Sequence, residues 1–137
     1  MKQILLDTNI VLDLLARRMP FYNDAAELFS LADKKTIRLS LSSLSLANIH
    51  CVLKKLKPEQ EARNIIRNFK ILVQVLSLDN KIVDLALNSD FKDFEDAIQY
   101  FTAIENDKEL IVTRNMSGYR ESKIPVMTAR EFIKSFQ

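Results

Sequence analysis

One glycine, three prolines, one cysteine, one histidine and no tryptophan occur in these 137 residues. A single glycine leaves no way to write a dinucleotide-binding fingerprint or a P-loop, both of which need several. The scarcity of glycine and proline disfavours a turn-rich all-β fold, and the long periodic segments favour helices. One cysteine cannot close an internal disulfide, so nothing points to an oxidising compartment. One cysteine and one histidine cannot build the usual zinc sites either. Cys51, with its apolar neighbours, is expected to be a small core residue. No apolar run approaches the ~20 residues that span a bilayer. The opening Met-Lys-Gln-Ile-Leu-Leu-Asp reaches a carboxylate before any signal-peptide core could form, so a cytoplasmic protein without membrane contact is expected.

What is present is a globular composition, 47% hydrophobic and 28% charged. A chain of this length is expected to form one domain over residues 1–137 and to bury roughly two thirds of its unfolded surface without a disulfide or structural metal. The formal net charge of +2 excludes a polycation that would coat nucleic acid indiscriminately. Basic residues do cluster, at Lys54, Lys55 and Lys57 and again at Arg63, Arg67 and Lys70. Such clusters are either a solvated helix face or a patch that holds a phosphate backbone.

Along the chain, Lys2 to Leu6 reads as a buried strand ending at Asp7. Asp7-Thr8-Asn9 offers three capping side chains, and Ile10, Val11, Leu14 and Leu15 follow at helical spacing. A second helix runs from near Asn23 or Asp24 to about Lys34. Arg38 to Leu41 reads as a strand, and Leu44 to Leu53 as a helix. Pro58 suits the first turn of the next helix, and Leu72 to Leu78 suits a strand. Asp79 is expected to cap one helix and Asp93-Phe94-Glu95-Asp96 to begin another. Leu110 to Thr113 carries a strong β signal. Arg114 to Lys123 reads as a polar loop, and Pro125 to Met127 as a short edge strand. Thr128-Ala129-Arg130-Glu131 reads as a capping box for the last helix. Strands alternating with helices predict a mostly parallel sheet covered on both faces.

In such folds the carboxyl ends of the strands are the first place to look for a site. Asp7 closes one strand, and Thr113-Arg114-Asn115 closes another. Ser43, Asn48, Asp93 and Asp96 lie near the starts of helices that can point to the same edge. Converged, these groups make an acidic pocket with neutral oxygens, suited to Mg²⁺ or Mn²⁺. Asp7 has a second reading as a helix cap. Asp93 and Asp96, three apart, can divide capping and dipole duties between them. Arg114 is either a phosphate contact or a surface ion-pair partner, and Asn48 and Asn115 are either site groups or ordinary helix and turn residues. His50 sits where no Ser–His–Asp arrangement is discernible.

The run Ile4-Leu-Leu-Asp7-Thr8-Asn9-Ile-Val-Leu-Asp13 resembles the first motif of PIN domains. In family order follow Leu41-Ser-Ser-Leu-Ser-Leu-Ala-Asn48-Ile, Asp93-Phe-Glu-Asp96-Ala-Ile-Gln99, Ile111-Val-Thr113-Arg114-Asn115 and Ile124-Pro-Val-Met-Thr128. This resemblance implies a three-layer α/β/α sandwich with a mostly parallel central sheet. It also implies an acidic pocket binding Mg²⁺ or Mn²⁺ and hydrolysis of RNA. Many small bacterial members are VapC-type toxins, dimeric and held inactive by an antitoxin, so RNA, an antitoxin and a second copy are the partners it implies. By motif, Asp7 and Asp96 match metal ligands, with Asp93 as a further carboxylate if it turns inward. Asn48, Asn115 and Thr113 would complete the shell or orient water, and Arg114 and Ser43 would meet substrate. Asn48 stands where most PIN domains have a glutamate, and no acid follows Asn115 nearby. That leaves two expectations, a ribonuclease with a reduced acidic set, or a catalytically weak module that binds RNA or a protein.

Overall fold

Ile4, Leu5 and Leu6 have no solvent exposure, and the strand they form, β1 (Lys2–Leu6), is buried on both faces. A near-continuous apolar run of this kind is what a central parallel strand requires, because helices cover the sheet on each side. The computed structural model describes residues 1–136; Gln137, the last residue of the expected domain, lies outside the described residues. β2 (Ile37–Ser42), β3 (Val73–Leu76), β4 (Leu110–Val112) and β5 (Val126–Met127) complete a five-stranded sheet in the order β3-β2-β1-β4-β5. Every neighbouring pair is parallel.

The helices are α1 (Thr8–Leu15), α2 (Tyr22–Asp33), α3 (Ser43–Leu56), α4 (Glu59–Phe69), α5 (Asn80–Leu87), α6 (Phe94–Glu105) and α7 (Ala129–Phe136). Side chains alternate across a strand, and the two cores follow that alternation. Ile4, Leu6, Leu39, Leu41, Leu110 and Val112 pack with residues of α1 to α4 and α7. Leu5, Leu76 and Ile111 point the other way, against Tyr100 and Ala103 of α6 and against Tyr119. Ile82 and Ala86 of α5 pack on Ala97 and Ile98 of α6. The result is a three-layer α/β/α sandwich around a wholly parallel sheet. On its α6 side, Lys108 donates to Gln3 of the central strand β1 and to Gln74 of the edge strand β3, each bond 3.0 Å.

Local chemistry sets the boundaries. Asp79 accepts from the Ile82 amide at 2.9 Å and caps α5. Thr128 and Glu131 exchange reciprocal side chain–backbone bonds of 2.9 and 3.1 Å, the predicted capping box. Pro58 caps α4 from the position just before its first turn. Two expectations are corrected. Cys51 is exposed, because α3 buries Ser45, Ile49 and Leu53 at four-residue spacing and Cys51 lies off that stripe. The loop from Arg114 to Lys123 is not simply polar surface, since Met116–Tyr119 forms a 3₁₀ turn that drives Tyr119 into the core.

Candidate active site

β1 and β4 are neighbours, while the chain proceeds from β1 to β2 on the opposite side. Such a reversal of strand order opens a crevice at the carboxyl edge of a parallel sheet. The residues that close the two strands meet there, and the Asp7 amide donates to Val112 O at 3.0 Å.

Asp7 is only 8% exposed. Its Oδ1 accepts from the Thr8 amide at 2.7 Å, which is the capping role at the start of α1. Its Oδ2 accepts from the hydroxyls of Thr113 and Tyr119, each at 2.9 Å, from 106 and 112 residues away. The cap and the long-range bonds therefore use different oxygens. The Thr113 hydroxyl also accepts from the Asn115 amide at 3.0 Å, tying the end of β4 to the same carboxylate. The Tyr119 hydroxyl is held protonated, its pKa pushed up by burial and then by the charges of Asp7 and Asp96.

Asp96 faces Asp7 across this hydroxyl. Burial and then the repulsion of Asp7, Asp93 and Glu95 raise its pKa to about 6, with Tyr119 pulling slightly the other way. Gly118 explains how the carboxylate fits, because a Cβ there would lie 2.3 Å from Asp96 Oδ2. The one glycine of the chain is thus required for space, and its φ is not positive.

Asp7, Asp96, Asn48 and Asn115 line one cleft of about 400 Å³, together with Thr8, Asn9, Glu95, Gln99 and Arg18. The Asn48 amide donates to Glu95 Oε1 at 3.4 Å, so a carboxylate from α6 stands opposite the asparagine. Asp93 caps α6, accepting from the Asp96 amide at 2.9 Å, and lines an adjoining cleft that shares Asp96 and Asn115. Two expected residues lie apart from the Asp7–Asp96 cleft. The Ser43 hydroxyl accepts from the Leu78 amide at 3.1 Å and anchors the segment after β3. Arg114 forks onto Asp13 at 2.8 and 3.0 Å and stacks over Phe21 with its carbon 4.0 Å from the ring centre. That pair sits at a separate, mostly apolar cavity between α1, α2 and α7.

Sequence reasoning did not single out Tyr119, Glu95, Gln99 or Arg18. Tyr119 had one available signal, a large aromatic next to the chain's only glycine inside a polar stretch.

The donors of the cleft are oxygens, apart from amide nitrogens and Arg18, and no guanidinium or ammonium pairs with Asp7 or Asp96 among the described residues. Mutually repelling carboxylates with neutral oxygens beside them suit a hard dication. Among the described residues no three His, Cys, Asp or Glu side chains group closely enough to enclose one ion. The fold and this edge define a class of α/β/α proteins with an acidic centre at the strand-order reversal. The chain belongs to the PIN-domain family, whose pattern it matches over residues 3–117.

No curated protein matches the chain by sequence. Among solved structures, the toxin–antitoxin complex from Klebsiella pneumoniae superposes with a TM-score of 0.68 at 23% identity, covering 92% of this chain and 97% of that one. DNA-bound VapBC from Salmonella typhimurium gives 0.71 at 16% identity, covering 94% and 99%. VapC20 from Mycobacterium tuberculosis, described as a sarcin–ricin loop-cleaving toxin, gives 0.62 at 16%, covering 79% and 86%. At these identities the likeness is one of fold. No helix among the described residues is long and apolar enough to cross a membrane.

Proposed function

We propose that the chain is a ribonuclease dependent on Mg²⁺ or Mn²⁺ and acts as the toxin of a toxin–antitoxin pair. The observation that carries this reading is the meeting of Asp7 and Asp96 at one cleft, around the Tyr119 hydroxyl, with neither in an ion pair among the described residues. Asp7 and Asp96 would hold the ion, and Glu95, Asn48 and Asn115 would surround its water. When bound, such an ion supplies Lewis acidity toward a phosphodiester and toward water. Membership of the PIN family and the likeness to VapC20 support RNA as the substrate, and the VapBC likeness supports an antitoxin partner.

The chain's own residues divide the remaining work. Thr113 and Tyr119 hold Asp7 in one orientation through Oδ2. Gly118 leaves room for the Asp96 carboxylate. Arg18 lines the cleft and is in no ion pair among the described residues, so it takes the phosphate role first assigned to Arg114. The purified protein with Mn²⁺ is expected to cleave single-stranded or structured RNA, and Asp7→Asn to abolish the cleavage. No cleavage by the wild-type chain over a panel of RNAs, with Mg²⁺ or Mn²⁺, would sink the reading.

A second reading is favoured by the lack of a three-carboxylate cluster among the described residues. In it the chain binds RNA or a protein without hydrolysis. It predicts RNA retention that is unchanged by Mn²⁺ and by Asp7→Asn.

A further inference from the structure

We propose that Gln99 is a positioning residue for the cation centre: its amide oxygen accepts a hydrogen bond from water beside the ion and so sets how tightly the ion is held. This rests on reading the cleft as a divalent-cation site.

The argument starts from a buried group without a partner. Gln99 is 2% exposed, yet its Oε1 makes no hydrogen bond. Buried acceptors are nearly always satisfied, so an exception needs an account. The other end of the amide is committed, with Nε2 donating to Ser45 Oγ at 2.7 Å. Ser45 is fully buried and also accepts from the Thr8 hydroxyl at 2.9 Å. These two bonds join the starts of α1 and α3 to α6 and hold the amide by its nitrogen, leaving its oxygen as the uncommitted end of a residue that lines the cleft.

The neighbours do not supply the missing donor among the described residues. Gln99 follows Asp96 by one turn of α6, so the two side chains share a helix face. Ionised Asp7, Glu95 and Asp96 only accept. The Asn48 amide gives one of its two protons to Glu95. Arg18 lines the same cleft but makes no side-chain bond to Gln99. The cleft therefore wants two things at once, positive charge for its carboxylates and a donor for Gln99. A hydrated dication brings both, charge at its centre and O–H groups at its rim. Outer groups of this kind change metal affinity by about 10- to 100-fold when removed.

The test is Mn²⁺ titration of the full chain at pH 8, following the resonance signal of free Mn²⁺, with thermal unfolding of each variant as a check on folding. Gln99→Leu, which roughly keeps the volume and removes the acceptor together with the donor to Ser45, is expected to weaken Mn²⁺ binding by about tenfold or more. Gln99→Glu, which puts charge at the same place, is expected to tighten it. A residue with a merely structural role would not move affinity in opposite directions with the two substitutions. Equal binding by wild type and both variants overturns the proposal, as does weakening by both. If Gln99→Leu does not fold, Gln99→Glu decides alone, with tighter binding in support and unchanged or weaker binding against. Abolition by Asp7→Asn beside an unchanged Gln99→Leu would remove Gln99 and leave the cation site standing. No Mn²⁺ binding by the wild-type chain would remove both.

Discussion

Two aspartates near the start of the chain, Asp7 and Asp13, are both buried, at 8% and 1% exposure, and the fold treats them in opposite ways. Asp13 receives a two-pronged guanidinium from Arg114, itself stacked on Phe21. Asp7 receives only an amide and two hydroxyls. Burying a charge is costly unless it is paired. The protein meets that cost internally at Asp13, but at Asp7 it supplies orientation without neutralisation and adds the repulsion of Asp96. The difference separates a structural ion pair from a carboxylate that is oriented but left without a paired cation among the described residues.

Substitutions can break that contrast. The largest effect is expected from Asp7→Asn, which should abolish Mn²⁺ binding and RNA cleavage while the chain still folds; titration and gel assays on one preparation check this. Retained cleavage would place Asp7 with Asp13 as a structural residue. Gly118→Ala comes next, because its methyl would lie 2.3 Å from Asp96 Oδ2 and force that carboxylate to move. A displacement of about 1 Å at such a centre costs on the order of 10²-fold in rate. The obstruction is a flexible side chain, so the melting temperature should barely move, and a large loss of stability would show that the glycine serves the backbone instead.

Arg114→Met should do the reverse. Removing one partner of a buried pair costs about 3–5 kcal/mol, so chemical denaturation should show a large loss of stability. Mn²⁺ affinity should stay as in wild type. A drop in affinity or cleavage without a stability change would restore Arg114 as a phosphate contact.

The smallest effect is a pH dependence. The Asp96 pKa of about 6 in the fold lies above its ordinary 3.8, so the folded chain holds this proton more tightly than the unfolded one. The stability it contributes is fully present below about pH 4 and is lost as pH rises through 6. With EDTA present, acidifying from pH 7 to 5 should therefore raise the melting temperature, and Asp96→Asn should flatten that rise. Mn²⁺ affinity should change the opposite way, falling as pH drops through 6, because proton and cation compete for one carboxylate.

Much of this was legible before any coordinates. A run of apolar residues ending in Asp7 marked a buried strand and its carboxyl end, since a buried parallel strand has no polar face to disguise it. The alternation of strands and helices carried the layer order. Cys51 was misplaced because local apolar neighbours do not reveal the phase of a helix; the stripe of Ser45, Ile49 and Leu53 does, once Ser45 is allowed inside by its bonds to Thr8 and Gln99. Tyr119 and Arg114 were opaque for a deeper reason. Each acts on a residue about a hundred positions away, and no spacing rule reaches that far.

That separation has a consequence in time. Asp7 is made before the hydroxyl that fixes it, which belongs to residue 119. Helices and neighbouring strands can form as they appear, while contacts spanning most of the chain must wait. A growing polypeptide would thus carry the Asp7 carboxylate unfixed until Tyr119 had been made, and this edge of the sheet takes its final form only when both ends of that bond are in place.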